Sequence, residues 1–283
     1  MNKNIFQVWY QGCNTITQNH FKENMKNWRL LNPDWNYHCL NDSDLRRICY
    51  KYSKLCGKAY DKSQFMHAKI DLGRMVAIYL HGGIMVDMDM YILRSLNTIK
   101  EIEYFENPKE HIIGLSYINI NFIESLIFSG NLESFNNAVV LSTQFNPLIK
   151  KWIDNMIDNI MSINTEYTDN YFYISKTTGP ILFNKIITKH KNLSKIIKFE
   201  HDIFEPCYAV GPCNITNNTV SIHKFEMSWL SKELKFLAQM YFKYIRPNIL
   251  TIITVLLAML LYKRFNKFGN KAIKYAEIIE SID

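Results

Sequence analysis

Apolar positions fall into five stretches that predict helices, at residues 18–31, 42–54, 63–81, 147–159 and 179–190. In the first, Phe21, Met25 and Trp28 share one face, the spacing of a stripe that packs on a core. In the third, Met75, Val76, Ile78, Tyr79 and Leu80 form a largely buried surface, while Asp71 and Arg74 stand three apart and are neighbours on one face. Gly82-Gly83 fits a helix C-cap that turns the chain sharply. Between these helices, short apolar runs predict strands at 5–9, 37–40, 83–86, 111–115, 126–130 and 138–142. Strands alternating with helices predict an α/β domain.

The strand at 83–86 delivers two acids, Asp87 and Asp89, interleaved with Met88 and Met90. Side chains two apart on a strand point the same way, so both carboxylates are expected to reach one place. An acid-x-acid triplet alone is common on solvated turns, but apolar neighbours on both sides point to burial. A buried carboxylate without a partner costs on the order of several kcal/mol. A hard cation, Mn2+ or Mg2+, offsets that cost and keeps positions open for water and phosphate oxygens, so a diphosphate is the natural guest. The competing reading is a structural acid pair capped by arginine or backbone groups. For Asp71 and Arg74 the alternative is an intrahelical ion pair, which contributes only about 0.3–0.5 kcal/mol when exposed. Beside Asp87 and Asp89, an arginine suits a phosphate or sugar hydroxyl, with Asp71 orienting it.

Bulk properties narrow the class. The 283 residues, 48% hydrophobic and 21% charged, supply a sizeable core, and residues 1–235 are expected to form one catalytic domain. The net charge of +7 comes from scattered basic residues, many near the C-terminus, so a nucleic-acid partner is not expected. Cys13, Cys39, Cys49, Cys56, Cys207 and Cys213 show no zinc-site spacing; Cys207 and Cys213 flank Gly211-Pro212 and could pair in an oxidising compartment.

Several ordered motifs go beyond the acid pair. They are Ile5-Phe6-Gln7-Val8-Trp9, Asn32-Pro33-Asp34-Trp35, Lys69-x-Asp71-x-x-Arg74 and Leu80-His81-Gly82-Gly83-Ile84-x-x-Asp87-x-Asp89. Downstream come Asn136-Asn137-Ala138, Thr178-Gly179-Pro180, Phe204-Glu205-Pro206 and Ile222-His223-x5-Ser228-Trp229. This set, from residue 4 to about 230, resembles glycosyltransferase family 32, the glycosyltransferases with a DXD sugar-binding region, and is similar to the catalytic domains of large glucosylating toxins. Phe6 departs from the pattern, standing where the family commonly has histidine.

The resemblance implies a GT-A type nucleotide-sugar-binding fold, a Rossmann-like mixed sheet flanked by helices, and a retaining, metal-dependent hexosyl transfer. The donor would be a nucleotide-diphosphate sugar, GDP-mannose or a UDP-sugar. The acceptor would be a hydroxyl of a glycan, glycolipid or sphingolipid-type molecule, with acceptor-side elements in the poorly periodic stretch around Tyr167–Tyr173. Carried over by motif, Asp89 is the metal ligand, Asp87 touches ribose or sugar and helps the metal, and His223 completes the metal site. Asp71 and Arg74 contact the donor, Trp9 stacks on the base, and Ser228 and Trp229 touch phosphate or sugar. Arg74 and the metal together would stabilise the charge on the leaving diphosphate. Two other classes are a catalytically silent nucleotide-sugar or carbohydrate binder on the same fold and a metal-dependent phosphohydrolase, which would want more ligands for a second metal.

The C-terminus carries a separate signal. Residues 249–261 read ILTIITVLLAMLL, between Arg246 and Lys263-Arg264. A membrane-associated or single-pass helix is therefore expected within 245–262, followed by a basic tail at 263–283. A helix over 247–262 would be about 24 Å long against a hydrocarbon core of roughly 30 Å, a gap that snorkelling basic residues can close. No leader is expected before the first strand, and the side of the membrane stays open: tail-anchoring would leave the catalytic domain in the cytosol, whereas the basic tail itself favours the cytosol.

Overall fold

The structure, a computed structural model, describes residues 2–118, 124–125, 133–207, 213–226, 230–248 and 259. Residues Met1–Lys235 form one compact unit and Phe236–Asp283 a second.

The chain enters through β1 (Asn4–Val8), crosses α1 (Asn19–Leu31) and returns as β2 (Asn36–Leu40), paired parallel to β1. Three helices follow, α2 (Asp42–Tyr52), α3 (Lys54–Lys62) and α4 (Met66–His81). Asn41 closes a capping box with Asp44 at the start of α2, and Ser53 caps α3 through the Cys56 amide. That second cap splits what the sequence reads as one helix ending near residue 54. β3 (Gly83–Val86) then lies parallel to β1, with Ile5 opposite Ile84 and Phe6 opposite Met85. β4 (Met90–Ile92) leaves the sheet, and β5 (Ile112–Tyr117), β6 (Phe135–Ser142) and β7 (Lys195–Phe199) complete it in the order β2-β1-β3-β6-β5-β7. β6 runs antiparallel to both β3 and β5, so the sheet is mixed. β8 (Ser221–His223) pairs with β4 in a separate two-stranded ribbon.

Both faces of the sheet are covered. Phe6, Met85 and Val140 pack under α2, α3, α4 and the helices Pro147–Ser162 and Pro180–His190, around Trp152 and Phe183. Ile5, Ile84 and Val139 point the other way, onto Trp28, Trp35, Phe105, Phe199 and Phe204. Burial on both faces explains why β3 reads as a continuous apolar run rather than an alternation.

The turn out of α4 depends on glycine. Gly82 has φ 66° and ψ 169°, a region open to residues without Cβ, and its amide donates to the Ile78 carbonyl. At Gly83, with φ 122°, a Cβ would overlap the Asn4 carbonyl of β1. The tight exit lets β3 lie directly against β1, which brings their C-terminal ends to one edge of the sheet.

Two disulfides brace the first unit. Cys207–Cys213 joins the pair the sequence suggests, and Cys13–Cys39 ties the loop after β1 to β2. Cys49 and Cys56 are buried thiols.

The strand expected at 126–130 lies outside the described residues. So does the apolar run at 249–261, apart from Met259. Among the described residues no helix is long and apolar enough to cross a membrane, and those preceding the run form a helix at Lys232–Met240 and tighter or wider turns over 241–248.

Candidate functional site

The site is built where β1 and β3 end. β3 stops at Val86; the Asp87 amide donates to the Ala138 carbonyl of β6 at 2.9 Å, and the Asp87 carbonyl accepts from Gln7 Nε2 at 3.0 Å and from the Met90 amide at 3.1 Å. Residues 87–90 are therefore a turn. The expectation that strand pleating aligns the two acids is corrected: the chain must leave the sheet here for Met90 to begin β4, so the turn brings Asp87 and Asp89 together. Helix α1 grips that turn, with Asn24 Nδ2 donating to the carbonyls of Met88 and Met90 and Trp28 Nε1 to that of Met90. Trp28 thus combines the core role its spacing predicts with a bond that holds the turn.

The β4–β8 ribbon supplies the third side chain. Met90 lies opposite His223, and β8 continues so that the Lys224 amide donates to the Asp89 carbonyl at 3.0 Å and the Glu226 amide to Asp89 Oδ2 at 2.8 Å. His223 Nε2 is 3.4 Å from Asp89 Oδ2. Ligand atoms of Asp87, Asp89 and His223 all lie within 4.8 Å of one another. Two carboxylates and an imidazole converging on one point fit a divalent cation such as Mn2+ and leave positions for donor oxygens.

Arg74 completes the constellation from α4. Its guanidinium bonds Asp71 at 2.9 Å and also reaches Asp87, and 5% of its side chain is exposed. Thr178 Oγ1, just before the helix Pro180–His190, donates to the other oxygen of Asp71 at 2.9 Å. Asp71 therefore sits behind Arg74, and Nε of Arg74 is buried without a hydrogen-bond partner among the described residues.

The charges are finely opposed. Burial pushes the Asp87 carboxyl up to about 6, with Arg74 pulling down and Asp89 pushing up. Burial also lifts Asp71, against the pull of Arg74 and Thr178. For Asp89 burial acts upward, but His223 and the Glu226 amide outweigh it and leave the carboxyl below its ordinary value. Burial works against the charged form of His223, yet Asp89 and Glu205 hold its pKa well above the usual imidazole range.

Glu205 is the residue sequence reasoning passed over. It lies beside His223, 0% exposed, with one carboxylate oxygen 3.7 Å from His223 Nδ1 and neither oxygen hydrogen-bonded among the described residues. Asn136 Nδ2 also faces Nδ1, at 3.3 Å, while Asn136 Oδ1 accepts from the Ala138 amide. Glu205, Asn136 and Thr178 each fall inside a motif named above, so the signal existed without a role attached.

Trp9 follows β1 at the same sheet edge, half-buried, with its ring 5.3 Å from that of Phe21. Phe6 stacks on His38 at 4.9 Å within the core and does not join the site. Ser228 and Trp229 lie outside the described residues.

Residues 18–106 match the family model described as a glycosyltransferase sugar-binding region containing DXD motif. The matched span holds Asp71, Arg74, Asp87 and Asp89 and ends before Glu205 and His223. The chain is 25% identical over 168 residues to the O-glycosyltransferase braB of Annulohypoxylon truncatum, an alignment covering 54% of this chain and 36% of that protein. It thus spans about a third of the length of that curated relative. Among solved structures, the catalytic domain of alpha-toxin from Clostridium novyi matches with TM-score 0.47 and 11% identity, covering 89% of this chain and 82% of that one. The PaToxG glycosyltransferase matches with TM-score 0.46 and 16% identity, covering 68% and 72%.

Proposed function

We propose that this chain, whose residues 18–106 match a glycosyltransferase sugar-binding region containing DXD motif, is a metal-dependent, retaining hexosyltransferase of GT-A type. Its donor is a nucleotide-diphosphate sugar, GDP-mannose or a UDP-sugar, and its acceptor a hydroxyl on a glycan, glycolipid or sphingolipid-type molecule. One observation carries the reading: Asp87, Asp89 and His223 converge within 4.8 Å beside the buried Arg74, at the C-terminal edge of two parallel strands.

In this reading Asp89 and His223 hold the cation and Asp87 divides its carboxylate between the cation and the ribose or sugar. The cation, Mn2+ or Mg2+, supplies Lewis-acid stabilisation of the departing diphosphate. Arg74 adds a fixed positive charge to the same oxygens, and because Asp71 and Thr178 lock its fork, little reorganisation is needed as charge develops. Trp9 offers its half-buried ring to the base. Ser228 and Trp229 are assigned to phosphate or sugar by their motif.

We assign the apolar run 249–261 to a membrane and the catalytic unit to an oxidising compartment. The Cys13–Cys39 and Cys207–Cys213 disulfides support that compartment, since disulfides persist in oxidising surroundings.

The test is a panel of nucleotide sugars incubated with the chain and Mn2+, scored for hydrolysis or transfer. Release of nucleotide from one donor, abolished by chelation, is the expected outcome. Donor binding without turnover would favour the silent binder instead.

A further inference from the structure

Glu205 presents an unsolved cost. Its carboxylate is fully buried and neither oxygen accepts a hydrogen bond from the described residues, an arrangement that is strongly unfavourable unless a donor or a positive charge faces it. The cationic group paired with it is His223, whose Nδ1 lies 3.7 Å from Oε1. The placement is rigid. The Glu205 amide donates to the His201 carbonyl, the Val220 amide to the Ile203 carbonyl and Ser221 Oγ to the Phe204 carbonyl, so β8 and the turn bearing Glu205 are tied together.

His223 Nδ1 has two suitors of opposite kind. The Asn136 amide can donate to a bare Nδ1, and Asn136 cannot flip without losing the bond from the Ala138 amide to its Oδ1. In that tautomer the proton sits on Nε2 and points toward Asp89. An ionised Glu205 carboxylate can only accept, which requires the proton on Nδ1 and leaves Nε2 bare toward Asp87 and Asp89. A cation held by Nε2 requires the second arrangement.

We infer that Glu205 is a positioning residue for the metal: its carboxylate accepts the Nδ1–H of His223, fixes the tautomer with Nε2 facing the two aspartates, and so raises the affinity of the site for a divalent ion. This deepens the proposed function and rests on its metal site. Carboxylates behind ligating histidines act in this way by fixing ring orientation and increasing ligand basicity. Glu205 touches neither donor nor acceptor, so its effect passes wholly through His223.

The experiment titrates the full chain, without donor, with Mn2+ followed by electron paramagnetic resonance of the free ion, in wild type and Glu205→Gln. The substitution keeps volume and removes the charge. Its Mn2+ dissociation constant is expected to rise about 10–100-fold, with a thermal midpoint close to wild type. A dissociation constant unchanged within about twofold overturns the inference while leaving the metal site standing. A wild-type chain that binds no Mn2+ overturns both. A second readout needs no variant: imidazole 15N spectra of the wild-type chain with diamagnetic Mg2+ should show the His223 proton on Nδ1. A proton on Nε2 in the Mg2+-bound chain refutes the role assigned to Glu205.

Discussion

Replacing Arg74 probes the site where its energetics are steepest, because one buried guanidinium pairs with two carboxylates. Arg74→Met keeps an unbranched stem of similar reach and removes the charge. Asp71, whose side chain is 12% exposed, is then left with Thr178 alone, whereas Asp87, at 34%, gains help from solvent. Removing one partner of a buried ion pair costs about 3–5 kcal/mol, and Asp71 carries most of it. Arg74→Lys retains a charge but cannot span both acids, so it forfeits one charge-assisted hydrogen bond, about 1.5–3 kcal/mol. Urea unfolding followed by circular dichroism should rank wild type above Arg74→Lys above Arg74→Met. The pH dependence has a definite sign. Without its cation, buried Asp71 has a folded pKa raised further above the unfolded value, so its penalty is full at alkaline pH and fades as the carboxyl is protonated. The gap between wild type and Arg74→Met should therefore be widest at alkaline pH and narrow steadily as pH falls toward the ordinary carboxylate range. Equal stability at the higher pH would refute the burial argument; a gap of constant size would show that packing, not charge, accounts for the loss. In turnover, Arg74→Lys should lower kcat/KM for the donor at least about tenfold, since one ammonium cannot reproduce the fork.

Asp89→Asn should abolish Mn2+-dependent donor turnover with the fold retained by circular dichroism; normal metal affinity and turnover would remove Asp89 from the site. Because burial lifts the Asp87 carboxyl to about 6 and Asp89 and Glu205 keep His223 protonated to higher pH, protons compete with the cation at both ligands, and Mn2+ affinity measured by calorimetry should fall continuously on acidification from the alkaline side through about pH 6. An affinity that is flat across this range would contradict the shift. Reducing Cys13–Cys39, which spans 26 residues, should lower stability by about 3–4 kcal/mol on loop entropy, read as a lower midpoint for Cys13→Ser under non-reducing conditions. Truncation after Lys235 should yield a folded unit that still hydrolyses its donor, while the full chain resists alkaline carbonate extraction from membranes; release into the supernatant would argue against insertion of 249–261.

How much of this was legible depended on residue chemistry and on range. The helix bearing Asp71 and Arg74 declared itself by periodicity, and Gly82-Gly83 announced its end, because the required φ values exclude other residues. Asp87, Asp89 and Arg74 could be named because they crowd into a short span. β4, β7 and β8 were missed: strands as short as Met90–Ile92 and Ser221–His223 give no alternation to count, and their pairing is with distant chain. α3 escaped because α2 and α3 abut at Ser53, where one residue closes the first helix and caps the second. Glu205 had no visible role since nothing local distinguishes a carboxylate that lies under an imidazole from one in solvent. Only the ribbon that carries His223 reveals its neighbour.

That ribbon also decides when the site comes into being. Met90 and His223 belong to regions synthesised far apart in time, so a nascent chain already displaying Asp87 and Asp89 has no imidazole to set beside them until β8 has been made and has closed a long loop onto β4. A divalent ion gripped by all three side chains favours the closed arrangement alone, by about 2.7 kcal/mol at a hundredfold excess over its dissociation constant. Such an ion would serve as a clasp between early and late parts of the polypeptide. Stripping it with a chelator should first release amide protection at Ile222, His223 and Lys224, ahead of the strands beneath.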